Sequence, residues 1–337
     1  MRRSLAVLAI ALVTLAACGS SNDDAAVDTA AVETTTAPDT LPDTTLDTTP
    51  DTTPDTTAGA ETTVADTAAP DSARPFEVFV PSSYDGSTAM PLIILLHGFG
   101  ASGDIQEAYF QVQPLAESRG FLYVHLDGTL NQIGRTFWNA TDGCCGVASE
   151  VDDVGYILSV IDSVGETYEV DPKRVYVMGH SNGGFMSYRL ACEAADRFAA
   201  IASLAGATYL DQADCDPSEP VSVLQVHGTA DETIAYEGDQ LPIMPSAFPG
   251  ARQTVSTWAQ YNGCGATATP AEEGLDLEQT LPGPETSTEL FDGCPAGIDV
   301  ALWTMEGGSH IPNIAMPAPP YPLSAGMVDF LLAHPKP

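Results

Sequence analysis

One decapeptide concentrates the reactive side chains of this sequence: Val175-Tyr176-Val177-Met178-Gly179-His180-Ser181-Asn182-Gly183-Gly184. A serine framed by glycines, with an apolar run before it and a helical pattern after it, is the pattern of a nucleophile raised on a tight strand-to-helix turn. Side chains flanking such a turn would collide, which accounts for the glycines. The helix N-terminus behind the serine favours negative charge there. A serine hydroxyl is a weak nucleophile by itself, so it needs a base to take its proton and an acid to orient the base.

On this kind of scaffold the order along the chain is serine, acid, histidine. After Ser181 the next buried apolar run is Val221 to Val226, and it ends in His227-Gly228-Thr229-Ala230-Asp231. That puts Asp231 on a loop at the C-terminal end of a strand. The last apolar run, Val300 to Met305, leads into Glu306-Gly307-Gly308-Ser309-His310, which puts His310 on the following loop. Ser181, Asp231 and His310 are therefore the expected nucleophile, acid and base. The other histidines fit the base role less well. His180 lies inside the elbow and His227 shapes the loop of Asp231. His125 sits within a strand, near the core. His334 is expected at the surface. His97 opens the loop His97-Gly98-Phe99-Gly100 in a structural role. On that loop the amide N–H of Phe99 is the expected oxyanion donor, with the amide of Asn182 as its partner.

Those side chains need a frame. Pro91–Leu96, Phe121–Leu126, Arg174–Met178, Ala199–Leu204, Val221–Val226 and Val300–Met305 read as strands, with Phe76–Val80 as one more. Ile105–Arg119, Val154–Tyr168, Gly183–Ala195, Gln253–Tyr261 and Ser324–Leu332 read as helices. Short apolar runs alternating with helical patterns imply an α/β fold, with a mostly parallel sheet covered on both faces.

The N-terminal part has a different texture. Arg2 and Arg3 precede a short apolar run, so residues 1–17 are predicted to be a signal peptide rather than a membrane span. Leu15-Ala16-Ala17-Cys18 resembles a bacterial lipobox, which implies lipidation of Cys18 and tethering to a membrane. Residues 18–73 are rich in Asp, Thr, Ala and Pro and hold few large apolar side chains. They are expected to form a disordered extended linker ahead of a catalytic domain over 74–337. Only 11 Lys and Arg stand against 46 Asp and Glu, a formal net charge of −35. Phosphate contacts need basic side chains, so nucleic-acid binding is excluded. Beyond Cys18 there are six cysteines, an even number that in an exported chain points to disulfides. Their spacing is not that of a zinc site, and no metal is expected.

Several further blocks accompany the elbow: Trp138-Asn139-Ala140, Cys144-Cys145-Gly146, Val151-Asp152-Asp153-Val154-Gly155-Tyr156, Leu190-Ala191-Cys192-Glu193 and His227-Gly228-Thr229-Ala230-Asp231. With Arg174–Met186 they resemble the polyhydroxybutyrate depolymerase and feruloyl esterase family, in order, over about residues 75–333. The resemblance implies an α/β-hydrolase fold and the same Ser181–Asp231–His310 triad. It points to a serine esterase acting on polyhydroxyalkanoate, feruloyl or acetyl polysaccharide esters; with the signal peptide, the chain is expected to be exported, to need no cofactor and to act as a monomer. The resemblance also implies a Cys264–Cys294 bond and two more bonds among Cys144, Cys145, Cys192 and Cys215, with partners left open. Trp138 is a candidate for the substrate pocket, with a packing role as the alternative. The family's aromatic residue after the base is Ile311 here, which alters the substrate-side wall. An acyltransferase, a peptidase, or an inactive surface-binding protein on the same fold are the competing readings.

Overall fold

The computed structural model describes residues 74–337 except 147–148, 243, 271–273 and 316–320. The expected signal peptide, the lipidation site Cys18 and the linker over 18–73 lie outside the described residues.

In chain order, β1 (Met90–Leu96) is followed by α1 (Gly103–Phe110), α2 (Val112–Arg119) and β2 (Leu122–Leu126). A small hairpin of β3 (Thr129–Leu130) and β4 (Thr136–Phe137) leads to α3 (Asp153–Thr167). Then come β5 (Val170–His180), α4 (Asn182–Glu193), β6 (Ala200–Leu204) and β7 (Ser222–Gly228). The pair β8 (Gly238–Asp239) and β9 (Phe248–Pro249) precedes α5 (Ala251–Tyr261). β10 (Ala268–Pro270), β11 (Thr286–Phe291), β12 (Val300–Met305) and α6 (Pro322–Ala333) complete the chain.

Eight of these strands form one sheet in the order β10-β11-β12-β7-β6-β5-β1-β2. From β12 to β2 every pairing is parallel, while β10 and β11 add to the edge antiparallel. The central strands are buried on both faces, which is why β1 reads as a continuous apolar run. Its residues divide between the faces with the period of a strand. Leu92, Ile94 and Leu96 pack with α3, α4 and α5. Ile93 and Leu95 pack with α1, α2 and α6.

Two expected elements differ from what is observed, and the strand β11 is not among the expected ones. Phe76–Val80 is no strand: only Phe79 pairs, antiparallel to Tyr123, because Pro75 and Pro81 bracket the segment and cannot donate to a ladder. The helix expected over Ile105–Arg119 is two helices. Gln111 adopts φ 54° between them. The Glu107 carboxylate turns back to accept from the amides of Val112 (3.0 Å) and Gln113 (3.0 Å), capping the second helix from the first. β11 carries too little apolar periodicity to stand out in the sequence. It forms because β12 offers it an open edge.

The six described cysteines pair as Cys144–Cys145, Cys192–Cys215 and Cys264–Cys294.

Candidate active site

Parallel strands end together, so the loops after β1, β5, β7 and β12 meet at one edge of the sheet. Ser181 stands between β5 and α4 with φ 55° and ψ −121°, a conformation that non-glycine residues adopt only under constraint. The constraint is visible. The Ser181 amide donates to the Leu204 carbonyl at 2.8 Å, and its carbonyl accepts from the Phe185 amide at 3.0 Å. The glycines on either side permit the crossing. A Cβ on Gly183 would strike the carbonyl of Leu96, and one on Gly179 would strike that of Gly183.

His310 Nε2 lies 2.9 Å from Ser181 Oγ. On the other side of the ring, Nδ1 lies 2.8 Å from Asp231 Oδ2. A carboxylate only accepts, so Nδ1 carries the proton and Nε2 is left to accept from the serine. The loops bearing Asp231 and His310 are laced together: Ala230 donates to the Gly308 carbonyl (2.9 Å) and Thr229 to that of Met305 (2.9 Å). Gly228 makes this approach feasible, since a Cβ there would collide with the Gly308 backbone.

Asp231 is buried. Burial by itself would raise its pKa. Hydrogen bonds from His227 and His310, together with the Ile234 amide, outweigh that and hold the carboxyl well below the usual range. Its Oδ1 accepts from the amides of Thr233 and Ile234, both at 2.8 Å. His227 supports the same loop. Its Nε2 lies 2.8 Å from the Ile234 carbonyl and 3.4 Å from Asp231 Oδ2. Its Nδ1 accepts from Gln225 Nε2 at 3.1 Å.

The loop after β1 is equally well anchored. Gly98 donates to Gln106 Oε1 (3.1 Å), and Gly100 donates to the Thr136 carbonyl (2.8 Å). His97 is fully buried and accepts from the Gly128 amide at 2.9 Å; burial pushes its pKa down. The amides of Phe99 and Asn182 take no protein acceptor among the described residues.

Trp138 corrects one expectation. It is fully buried, with its indole donating to the His97 carbonyl at 3.1 Å and its ring against the imidazole of His97. It packs beneath the loop and offers no wall to a substrate. His334 is also not at the open surface. It bonds the Phe330 carbonyl (2.6 Å) and Asp299 Oδ2 (2.8 Å).

The structure adds groups the sequence reading passed over. The Asn182 side chain brackets the Trp138 backbone, accepting from its amide at 2.7 Å and donating to its carbonyl at 3.0 Å. Its Nδ2 also lies 3.8 Å from Cys144 Sγ. Tyr109 OH donates to the Pro312 carbonyl (2.7 Å), and Glu278 accepts from the Asn313 amide (2.6 Å), so both hold the loop just past His310. The Trp138-Asn139 and Cys144-Cys145-Gly146 blocks that carry the family resemblance are a signal for the first. Nothing local in the sequence signals the other two.

The strand order, the elbow and the Ser–Asp–His order along the chain decide the fold together with one further finding: the profile of the prolyl oligopeptidase family matches residues 107–244. The chain is an α/β-hydrolase by fold. Among relatives of this α/β-hydrolase domain, feruloyl esterase B of Piromyces equi is 32% identical over 236 residues, 68% of this chain and 41% of that protein. The chain thus spans less than half the length of that relative. The putative esterase NocK of Nocardia uniformis subsp. tsuyamanensis is 29% identical over 265 residues, covering 75% of this chain and 74% of that one. An acetyl xylan esterase structure from Aspergillus awamori aligns with a TM-score of 0.47 at 14% identity, over 74% of this chain and 92% of that one.

Proposed function

We propose that this chain is an exported serine esterase that hydrolyses carboxylic esters through an acyl-enzyme, with Ser181 as nucleophile, His310 as base and Asp231 as orienting acid. The observation that carries the reading is the unbroken relay from Ser181 Oγ to His310 Nε2 (2.9 Å) and from His310 Nδ1 to Asp231 Oδ2 (2.8 Å). His310 takes the serine proton as Oγ attacks the ester carbonyl. The amides of Phe99 and Asn182 receive the oxyanion at the N-terminus of α4. His310 H⁺ then protonates the leaving alcohol. Water, activated by the same imidazole, releases the acid. The ionised Asp231 keeps the imidazole in the productive tautomer and stabilises its charged form.

The names of the relatives favour acyl groups carried on polysaccharide, feruloyl or acetyl. The disulfides fit an oxidising compartment and so an exported domain. A lipid anchor at Cys18 would hold the domain at the cell surface. The prolyl oligopeptidase profile supports a second reading, cleavage of peptide bonds by the same relay.

The test is turnover of p-nitrophenyl acetate, methyl ferulate and acetylated xylan beside a peptide p-nitroanilide, together with a fluorophosphonate probe. Ester turnover and labelling are both expected to vanish in Ser181→Ala. Undiminished ester turnover in that variant, or turnover of the anilide alone, overturns the esterase reading.

A further inference from the structure

Residues 180 and 181 are neighbours in the chain, and both bond to residue 310. Ser181 meets the imidazole of His310. His180, the last residue of β5, reaches the main chain of His310, with Nε2 lying 2.9 Å from its carbonyl oxygen. A carbonyl accepts only, so His180 carries its proton on Nε2. The two imidazoles pack with centroids 5.0 Å apart, and the Tyr109 ring lies 5.9 Å from His180 on another side. His180 is buried, and its Nδ1 lies in van der Waals range of where a Gly98 side chain would begin. It therefore stands between the loop after β1 and the loop after β12.

We propose that His180 is a positioning residue for the proposed esterase reaction: the Nε2–H it donates to the His310 carbonyl sets where the imidazole of His310 stands relative to Ser181. The elbow that places the nucleophile then also places the base. The spacing between the two is inherited from one rigid strand-to-helix turn instead of from two independent loops. Elsewhere the base loop is held at its flanks, where the Gly308 carbonyl accepts from Ala230 and the Pro312 carbonyl accepts from Tyr109. The carbonyl of His310 itself is held from the elbow.

The chemistry also accounts for an imidazole in this place. His310 becomes a cation during each turnover, so a lysine or arginine donor at 5 Å would oppose the step that makes the reaction go. The groups facing His180 are His310 from the loop after β12, Asp231 from the loop after β7, His227 from β7 itself and Tyr109 from α1. Burial first, and then the neighbouring His310, hold the His180 pKa down to about 4. His180 is thus a neutral donor throughout the neutral range.

The test compares His180→Gln with His180→Asn. Both side chains are neutral amides, but only glutamine places an N–H where Nε2 stood. The Gln variant is expected to keep kcat within about threefold of the parent. The Asn variant is expected to lose on the order of 10²-fold in kcat, the cost of a displaced catalytic group, with KM nearly unchanged. Equal kcat in the two variants overturns the proposal, whether both are active or both impaired. A loss confined to KM also overturns it. ¹⁵N spectra of the unmodified protein give a reading that does not depend on either variant folding. His180 is expected as the neutral Nε2–H tautomer from pH 6 to 8, and an Nδ1–H tautomer overturns the assignment. Since the inference rests on the esterase reading, Ser181→Ala is assayed alongside. Ester turnover that survives Ser181→Ala removes that reading and this inference with it. Turnover lost in Ser181→Ala but indifferent to His180 removes the inference alone.

Discussion

Asp231 and Asp153 are both buried carboxylates, and their surroundings drive them in opposite directions. Asp231 accepts from two backbone amides and one imidazole within 2.8 Å, with a second imidazole at 3.4 Å. The sum holds it ionised against its burial. Asp153 is fully buried and accepts from Arg74 Nη1 at 2.5 Å and from the Asn139 amide at 2.6 Å. There burial prevails over the guanidinium and the amide, and the pKa is raised. The difference lies in the number of donors converging on the group: four surround one carboxylate and two the other. Asp231 needs its charge because it orients an imidazole that becomes a cation. Asp153 fixes a loop: through Asn139 it holds the segment whose neighbour, Trp138, is bracketed by Asn182. One acid faces the reaction, while the other stabilises the backbone behind it.

The sharpest way to break this comparison is Asp231→Asn. An amide there would let His310 adopt the wrong tautomer, and kcat for a short p-nitrophenyl ester should fall by about 10⁴-fold while thermal unfolding changes little. The converse variant is Arg74→Met. It removes a cation from a buried pair and from the face of the Tyr156 ring, 3.6 Å away. Unfolding in urea should show a loss of about 3–5 kcal/mol, with kcat of the folded protein changed by less than about threefold. Equal effects of the two variants on kcat would dissolve the distinction between the two acids.

A smaller effect lies in the pH dependence of stability. His180 has a folded pKa of about 4, and burial also depresses that of His97. Once unfolded, both return to ordinary histidine values, so the unfolded chain binds more protons below about pH 6.5. Stability should therefore fall as pH drops from about 6.5 towards 4, by on the order of 3 kcal/mol for His180. The two carboxylates act with opposite sign. The depressed pKa of Asp231 costs stability as pH falls below about 4, whereas the raised pKa of Asp153 returns some stability earlier, as pH falls through its raised folded value towards about 4. Urea unfolding at a series of pH values is the measurement. His180→Gln should flatten the profile between 6.5 and 4. Asp231→Asn should flatten the part below 4.

Much of the site was legible because its residues mark themselves locally. Ser181 is framed by glycines at fixed offsets, and Asp231 and His310 each follow a buried apolar run by a few residues. Elements marked only by their neighbours were harder to see. The break at Gln111 depends on Glu107 bonding two amides past the turn. The fate of Phe76–Val80 depends on there being a single pairing partner, Tyr123. Trp138 stayed open between pocket and packing because an aromatic near a site reads the same whether it faces in or out.

The sequence by itself determined the alternation of strands and helices, the strained turn at Ser181 and the order of nucleophile, acid and base, since each is written in residue types at short range. Only the tertiary structure decided which groups hold that apparatus in place: His180 on the His310 carbonyl, Asn182 on Trp138, Glu278 and Tyr109 on the loop past the base, Arg74 on Asp153. The physical reason is range. Propensity and periodicity act over a few residues, whereas hydrogen bonds across 35 to 203 positions exist only after the sheet has brought its strand ends to one edge.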